Sequence, residues 1–382
     1  MARAEPFGAT IAFSKPEMLV MVDRTMARRL GVDAFPEPTP GSCSTDPHAP
    51  YEAHLTVGRS CSVGCSGCYI DAAKRLTMPM DISQWERVLE KLASLGVFHV
   101  AIGGGEDDDL RDLVRLAHKA RQLGLTPNLT TAAWNVTPGM AKSLVVFHRV
   151  HVSLDGVGGT YEQMRGHDGY ERTIMGLEIL KAYHPRVGVN CVVGRKNYDG
   201  LEELFAILRR LRVSEAELLR FKPTGRGSKL FADMDLTPYQ YEHLVKKVLR
   251  LAFRYKVRVR LDCSFTPMVC SGGYDPKLLA RLGVAGCVAG SWLVSVDPAG
   301  KLSGCSFDSY NVGSWKDMGR AELFSRFRNW IDQAPMPCRD CEYLQICRGG
   351  CHLVAQHVTG DFSAPDPGCP RVRHWSENDQ LP

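Results

Sequence analysis

The chain of 382 residues has no apolar run approaching the roughly 20 residues that a membrane-spanning helix needs, which excludes a helical membrane protein. Its opening stretch, MARAEPFGATIAFSKP, holds no apolar segment long enough for a secretory signal. Charge is nearly balanced, with 47 Lys and Arg against 42 Asp and Glu and a net charge of +5. That surplus is too small to argue for nucleic acid or for an anionic membrane surface. There is no internal repeat and no low-complexity tract. Together these absences lead us to expect a cytoplasmic protein. What the chain has in excess is cysteine, fourteen in all. The cytosol keeps thiols reduced, so a disulfide framework is not expected, and clustered thiols there are more often metal ligands or redox groups.

Most of the chain alternates short apolar segments with amphipathic ones. YEAHLTVG, FHVAIGGG, TPNLTTA, RVHVSLDG, RVGVNCVVG and EAELLRFKPTG read as strands, each followed by a helical pattern. The helix in SQWERVLEKLASLG is expected to start at Ser83, with Glu86 at capping-box spacing, and to stop at Gly96. The helix in TPGMAKSLVVF is expected to take Thr137 as N-cap with Pro138 in its first turn. Six βα units in a row imply right-handed crossovers and a parallel sheet, yet are too few for an eight-fold barrel. The expected fold class is therefore α/β, a partial (β/α)6 barrel resembling a TIM barrel, with reactive groups at the C-terminal ends of its strands. The boundaries read as an irregular N-terminal arm over 1–50, the barrel over 51–262, a small cysteine-rich domain over 263–370 and a tail over 371–382. In the third of these, glycine, proline and cysteine are dense and apolar periodicity stops, so bound metal is expected to help hold it together.

The stretch CSVGCSGCYI carries Cys61, Cys65 and Cys68 just after the first strand, with Tyr69 next. Three thiolates on one loop leave a four-ligand site one short. A structural zinc site normally fills that corner from the protein. A 4Fe–4S cluster can leave it to an external ligand. This C-x3-C-x2-C spacing followed by an aromatic resembles the radical S-adenosylmethionine enzymes. The resemblance implies a cluster on these three cysteines whose open iron binds S-adenosylmethionine and splits it to a 5′-deoxyadenosyl radical. It also implies cofactor contacts from Tyr69, from Gly104, Gly105 and Glu106 in GGGED, from Ser153 in VSLDG, and from Arg165 in YEQMRG. Glycines expose backbone to a ligand and a carboxylate suits the methionine ammonium. For Arg165 a surface ion pair is the alternative, and for Arg226 in FKPTGRG a loop ion pair.

Cys287 and Cys305 flank a hairpin turn at DPAG, and CRDCEYLQICRGGC gives C-x2-C-x5-C-x3-C from Cys338 to Cys351, with Cys369 after it. Order and spacing resemble the seven-cysteine SPASM extension, which implies two auxiliary 4Fe–4S clusters and three in all; two zinc sites are the alternative. By that resemblance Cys338, Cys341, Cys347 and Cys369 hold an outer cluster, and Cys287, Cys305 and Cys351 an inner one. The expected fourth inner ligand is Cys270, with Cys263 second and an open site third. Cys191, inside a strand, reads as a buried small hydrophobe. Cys43 reads as a bystander.

The resemblance implies a maturase of ribosomally made precursor peptides, forming a crosslink, inverting a stereocentre or excising backbone. GRSCSVGCSGCYIDA is similar to maturases of precursors with Nif11-like leaders. The expected partners are that peptide, an electron donor such as flavodoxin or ferredoxin, and either a separate leader-recognition protein or leader binding by the barrel itself. One related branch matures sulfatases and carries an aspartate directly after the cysteine matching Cys305. Here that residue is Ser306, with Asp308 the nearest aspartate, which counts against that branch. A SPASM enzyme acting on a small molecule and a zinc-stabilised binding module are the other readings.

Overall fold

A computed structural model describes residues 2–14, 17–37, 46–73, 79–107 and 110–378. Cys43 lies outside them. Among the described residues the strands form two sheets, one of three strands and one of ten.

The small sheet corrects the expectation of an irregular N-terminal arm. β1 (Ala2–Glu5), β2 (Gly8–Ser14) and β3 (Glu17–Asp23) form an antiparallel meander, followed by a short helix, Arg24–Arg29, capped by Asp23. Its strands carry little alternation of their own, and what fixes them is tertiary. Arg3 stacks its guanidinium 4.8 Å from the Tyr51 ring and 4.9 Å from Phe98, and donates to the carbonyls of Ala49, Pro50 and Gly96. Glu5, fully buried, pairs with Arg3 and accepts from the His48 N–H.

The large sheet holds β4 (Glu52–Thr56), β5 (His99–Gly103), β6 (Thr126–Thr131), β7 (Arg149–Ser153), β8 (Val187–Val193), β9 (Glu215–Arg220) and β10 (Arg258–Leu261), all parallel in chain order. The first six are the expected units. β10 is an unexpected seventh, because Arg-Val-Arg-Leu is charged and half-exposed and reads as no strand. On the other edge β11 (Leu293–Val296) adds parallel to β4, and β12 (Lys301–Ser303) and β13 (Gly313–Ser314) follow antiparallel. The cysteine-rich region thus extends the barrel sheet rather than standing apart from it. Its β11–β12 turn is the expected one, with the Gly300 N–H donating to Asp297 at 2.9 Å.

Helices cover the outer face. Ile82–Ser94 is capped two residues earlier than expected: its cap is Asp81, boxed with Gln84, because the Asp81 carboxylate accepts both the Gln84 N–H and the Ser83 hydroxyl. Pro138–Ser143 has the expected Thr137 cap. Trp85, Val88, Leu89 and Leu92 of the first helix pack on the outward strand residues Ala53, Leu55, Val100 and Ile102. The inward residues of β4, β6 and β7 are largely polar, as in Glu52 and His54, Asn128, and His151 and Ser153. A parallel sheet buried on both faces would be apolar throughout. This one alternates because its inner face lines a cavity of about 840 Å3.

Candidate active site

The loop after β4 carries Cys61, Cys65 and Cys68 to the mouth of that cavity, which all three line. The loop is tied down at several points. Cys61 N–H donates to the Ala73 carbonyl at 3.0 Å, and the Asp107 N–H reaches the Ser60 carbonyl at 3.0 Å. Gly105 lies so close to this loop that a Cβ there would meet the Ser60 oxygen at 1.9 Å. Arg226 holds it from the other side, donating to the Cys65 carbonyl at 2.9 and 3.1 Å, to the Ala72 carbonyl and to Asp71. Arg226 is therefore a clamp on the cysteine loop, the loop ion pair weighed in the sequence.

Burial pushes the Cys65 thiol above its usual range, opposed by the Arg165 guanidinium, whose Nη1 stands 3.5 Å from the sulfur. Arg165 is not a surface residue. It forms a buried ion pair with Asp155, which also accepts the Val192 N–H at 2.7 Å. His167 Nε2 lies 3.4 Å from Cys65 Sγ, a neighbour that nothing in the sequence singled out. The Ala72 N–H points at Cys68 Sγ at 3.4 Å. Thiols served by cations and N–H groups are a donor set that suits an anionic iron–sulfur cluster. Tyr69 lines the same cavity with its ring 4.9 Å from that of Phe307.

Gly104, Glu106 and Ser153 line the cavity beside the cysteines. Glu106 is held by the end of β6, accepting the Thr131 hydroxyl at 2.7 Å and the Ala132 N–H at 2.8 Å. Burial nonetheless raises its pKa, so the site favours a cation beside it. Gly105 faces the cysteine loop rather than the cavity.

The C-terminal thiols fall into two groups. Burial raises the thiols of Cys263, Cys287 and Cys305, followed at Cys263 by the Asp262 carboxylate and then Cys287, at Cys287 by Cys351 and at Cys305 by Cys287, with Cys351 a neighbour of all three. Cys338, Cys341, Cys347 and Cys369 form a second neighbourhood. Cys270 belongs with the second, its thiol hydrogen-bonded to Cys347. Cys263, the second of the two expected candidates, is thus the one that neighbours the inner thiols. Cys263 follows β10 directly at the barrel lip, while the short helix Thr266–Cys270 carries Cys270 away from it. Cys191 is fully buried in β8, as expected. Among the described residues no three His, Cys, Asp or Glu side chains converge as ligands of a single ion would. The thiolates of a four-iron cluster stand farther apart than that.

Two cavity features were not foreseen: the contact that Ser306 makes, and the histidine–carboxylate pairs on the inner face. Ser306 and Phe307 reach from the cysteine-rich region into the barrel, where Ser306 Oγ lies 3.1 Å from His54 Nδ1 and the Lys222 ammonium lies 5.0 Å from the Phe307 ring. Burial works against charge on His54, but Glu52 (3.6 Å from Nε2) and Glu217 carry its pKa up. His151 meets Glu215 and Glu217, each at 3.5 Å, which outweigh burial and raise it to about 9.

Residues 55–208 match the Radical SAM superfamily. The chain is 29% identical over 335 residues to mycofactocin maturase MftC of Mycolicibacterium smegmatis, covering 83% of this chain and 81% of that protein. It is 24% identical over 343 residues to the AdoMet-dependent heme synthase of Methanosarcina barkeri (82% and 94%) and 26% over 349 residues to the PqqA peptide cyclase of Bradyrhizobium diazoefficiens (84% and 86%). In fold it is similar to Streptococcus suis SuiB, solved with S-adenosylmethionine (TM-score 0.74) and with the precursor peptide SuiA (0.72). Identity is 15% in both, over 97% of this chain and 98% of that one. The similarity agrees with the partial barrel drawn above.

Proposed function

We infer, from a chain that carries a radical SAM domain over residues 55–208, a maturase of ribosomally made precursor peptides. The observation that carries the reading is the cysteine loop at the C-terminal strand ends, open on a cavity of about 840 Å3 that extends down the barrel and has room for a cofactor and a substrate side chain together. Cys61, Cys65 and Cys68 hold the cluster. Glu106 receives the methionine ammonium, Ser153 and Arg165 face the carboxylate and ribose, and Gly104, Gly105 and Tyr69 shape the pocket. When bound, cluster and S-adenosylmethionine supply a 5′-deoxyadenosyl radical that abstracts a substrate hydrogen atom.

The two further thiol groups favour a SPASM arrangement. Cys263, Cys287, Cys305 and Cys351 ligate an inner auxiliary cluster, and Cys338, Cys341, Cys347 and Cys369 an outer one. Ser306 faces the barrel where the sulfatase-maturing branch has its aspartate. Asp308 does not line the cavity and accepts the Tyr310 N–H instead, which counts against that branch. The names of MftC and of the PqqA cyclase support a peptide substrate. The similarity to the heme synthase favours a second reading, a small-molecule substrate on the same machinery. A flavodoxin or ferredoxin supplies the electron, and leader recognition falls to a separate protein or to the barrel.

The test is anaerobic coexpression with candidate precursor peptides drawn from short open reading frames of the same genome, followed by peptide mass spectrometry. A mass change is expected that vanishes in the Cys61→Ala/Cys65→Ala/Cys68→Ala variant. A peptide of unaltered mass, alongside turnover of a porphyrin or another small molecule, would establish the second reading instead.

A further inference from the structure

Closed eight-stranded barrels are filled mainly by branched apolar side chains. Here the paired inward residues form polar rows across the sheet. Ser153 pairs with Asn190, Asn190 with Glu217, and Glu217 with Arg260. A second row runs from His54 through Ala101 and Asn128 to Arg149. Arg260 thus stands three strands from the cofactor-facing Ser153, about 14 Å along the sheet at roughly 4.8 Å per strand. It comes from β10, the strand that the sequence did not announce.

The charges in this lower part of the cavity do not balance. Arg149, Arg260 and His151 face it as cations, with the His54 imidazole beside them, against the carboxylates of Glu52 and Glu217. Glu215 lies outside the cavity lining and is already shared by Arg149 at 2.9 Å, Arg258 at 3.0 Å and His151 at 3.5 Å. Adding Glu215 and Arg258 leaves the surplus positive. Arg260 is the least committed cation. Its side chain is 53% exposed, and its one ion pair among the described residues is a 4.0 Å contact to Glu215. The His151 ring has its place because Gly188 leaves it: a Cβ there would meet the imidazole at 2.7 Å. Asn128 Oδ1 is buried at the same cavity with no partner, an acceptor left for an N–H of the substrate.

We propose that the barrel interior below the cofactor end is a carboxylate subsite, in which Arg260, with Arg149 and His151 beside it, holds an acidic side chain or the C-terminal carboxylate of the substrate peptide. The planar guanidinium matches a carboxylate fork. The inference rests on the peptide-maturase reading and names the substrate group that the same cavity selects.

The test is isothermal titration of the anaerobic holoenzyme, with S-adenosylmethionine present, using three N-acetylated alanine–serine hexapeptides. One is amidated and neutral, one is amidated with a central glutamate, and one has a free C-terminal carboxylate. At least one carboxylate peptide should bind about tenfold or more tightly than the neutral one, the size of a charge-assisted hydrogen bond. Which of the two does so identifies the source of the carboxylate. Arg260→Gln should abolish the preference, Arg260→Lys should keep most of it, and Glu217→Gln should strengthen it by removing a competing charge. Iron content equal to the parent's checks the fold of each variant. Equal affinities for all three peptides, including no binding by any, would overturn the proposal, as would a preference that survives Arg260→Gln or weakens in Glu217→Gln. Peptide modification in coexpression without any carboxylate preference overturns this subsite alone. A preference without any peptide modification overturns the maturase reading alone.

Discussion

Asp366 is a single carboxylate on which three parts of the molecule meet, and its removal should be among the most damaging changes outside the cavity. It is fully buried, as is its partner Arg220 at the end of β9, with Nη1 to Oδ2 at 2.7 Å. Oδ2 also accepts the Cys351 N–H at 2.9 Å, and Oδ1 the Gly368 N–H at 2.8 Å, one residue before Cys369. The carboxylate thereby joins the barrel to both thiol groups. Asp366→Ala leaves a buried guanidinium whose next acid, Asp235, is 3.7 Å from Nε. Breaking a buried pair in this way costs about 3–5 kcal/mol. Two orphaned backbone N–H groups, at about 1–3 kcal/mol each when buried, push the cost toward the top of that range. Against a total stability of about 5–15 kcal/mol this is a large fraction. Urea titration of the anaerobic holoenzyme, read by far-ultraviolet circular dichroism and by cluster absorbance, should show both midpoints falling together. Arg220→Met/Asp366→Leu, which removes both charges, should recover much of the loss. A single variant within about 1 kcal/mol of the parent, the value of a surface pair, would refute the reasoning. So would a double variant no more stable than Asp366→Ala.

Three further outcomes are expected. Cys263→Ala should lose about four of roughly twelve irons per chain and Cys270→Ala none, by iron and sulfide analysis, because four thiolates hold each cluster; the reverse result would restore Cys270 to the inner site. Glu106→Ala should weaken S-adenosylmethionine binding about tenfold or more in equilibrium titration with iron unchanged, and an unchanged dissociation constant would leave Glu106 only its contacts to β6. His151 has a folded pKa of about 9 against 6.5 unfolded. Its contribution to stability is therefore complete below pH 6.5 and is lost as pH rises through about 9, on the order of 3 kcal/mol at most. Melting temperatures between pH 7 and 10 should fall less steeply in His151→Asn than in the parent, and parallel curves would remove His151 from the account.

The cysteine loop was legible because its spacing is local. Three thiols within eight residues share one turn whatever the rest of the chain does. The strands β4 to β9 were legible because each has its own alternation and a helix after it. β1 to β3 and β10 were not, since their strand character is supplied by Arg3 between Tyr51 and Phe98, and by the β9 edge on which β10 lies. Which of Cys263 and Cys270 neighbours the inner thiols turned on a single short helix. What Arg226 and Arg165 touch was not legible either, since both reach Cys65, 161 and 100 residues away along the chain.

By itself the sequence determined the parallel α/β architecture, the loop that offers three thiols at a strand end, and the order of the C-terminal cysteines, because periodicity and short spacing act within a few residues. Only the tertiary structure decided which thiols are neighbours and that Ser306 meets His54. It also turned the polar half of each strand inward around one cavity, with Arg260 at its far side. These depend on sheet register and curvature, which bring together residues from every strand, and no local stretch of sequence encodes those distances.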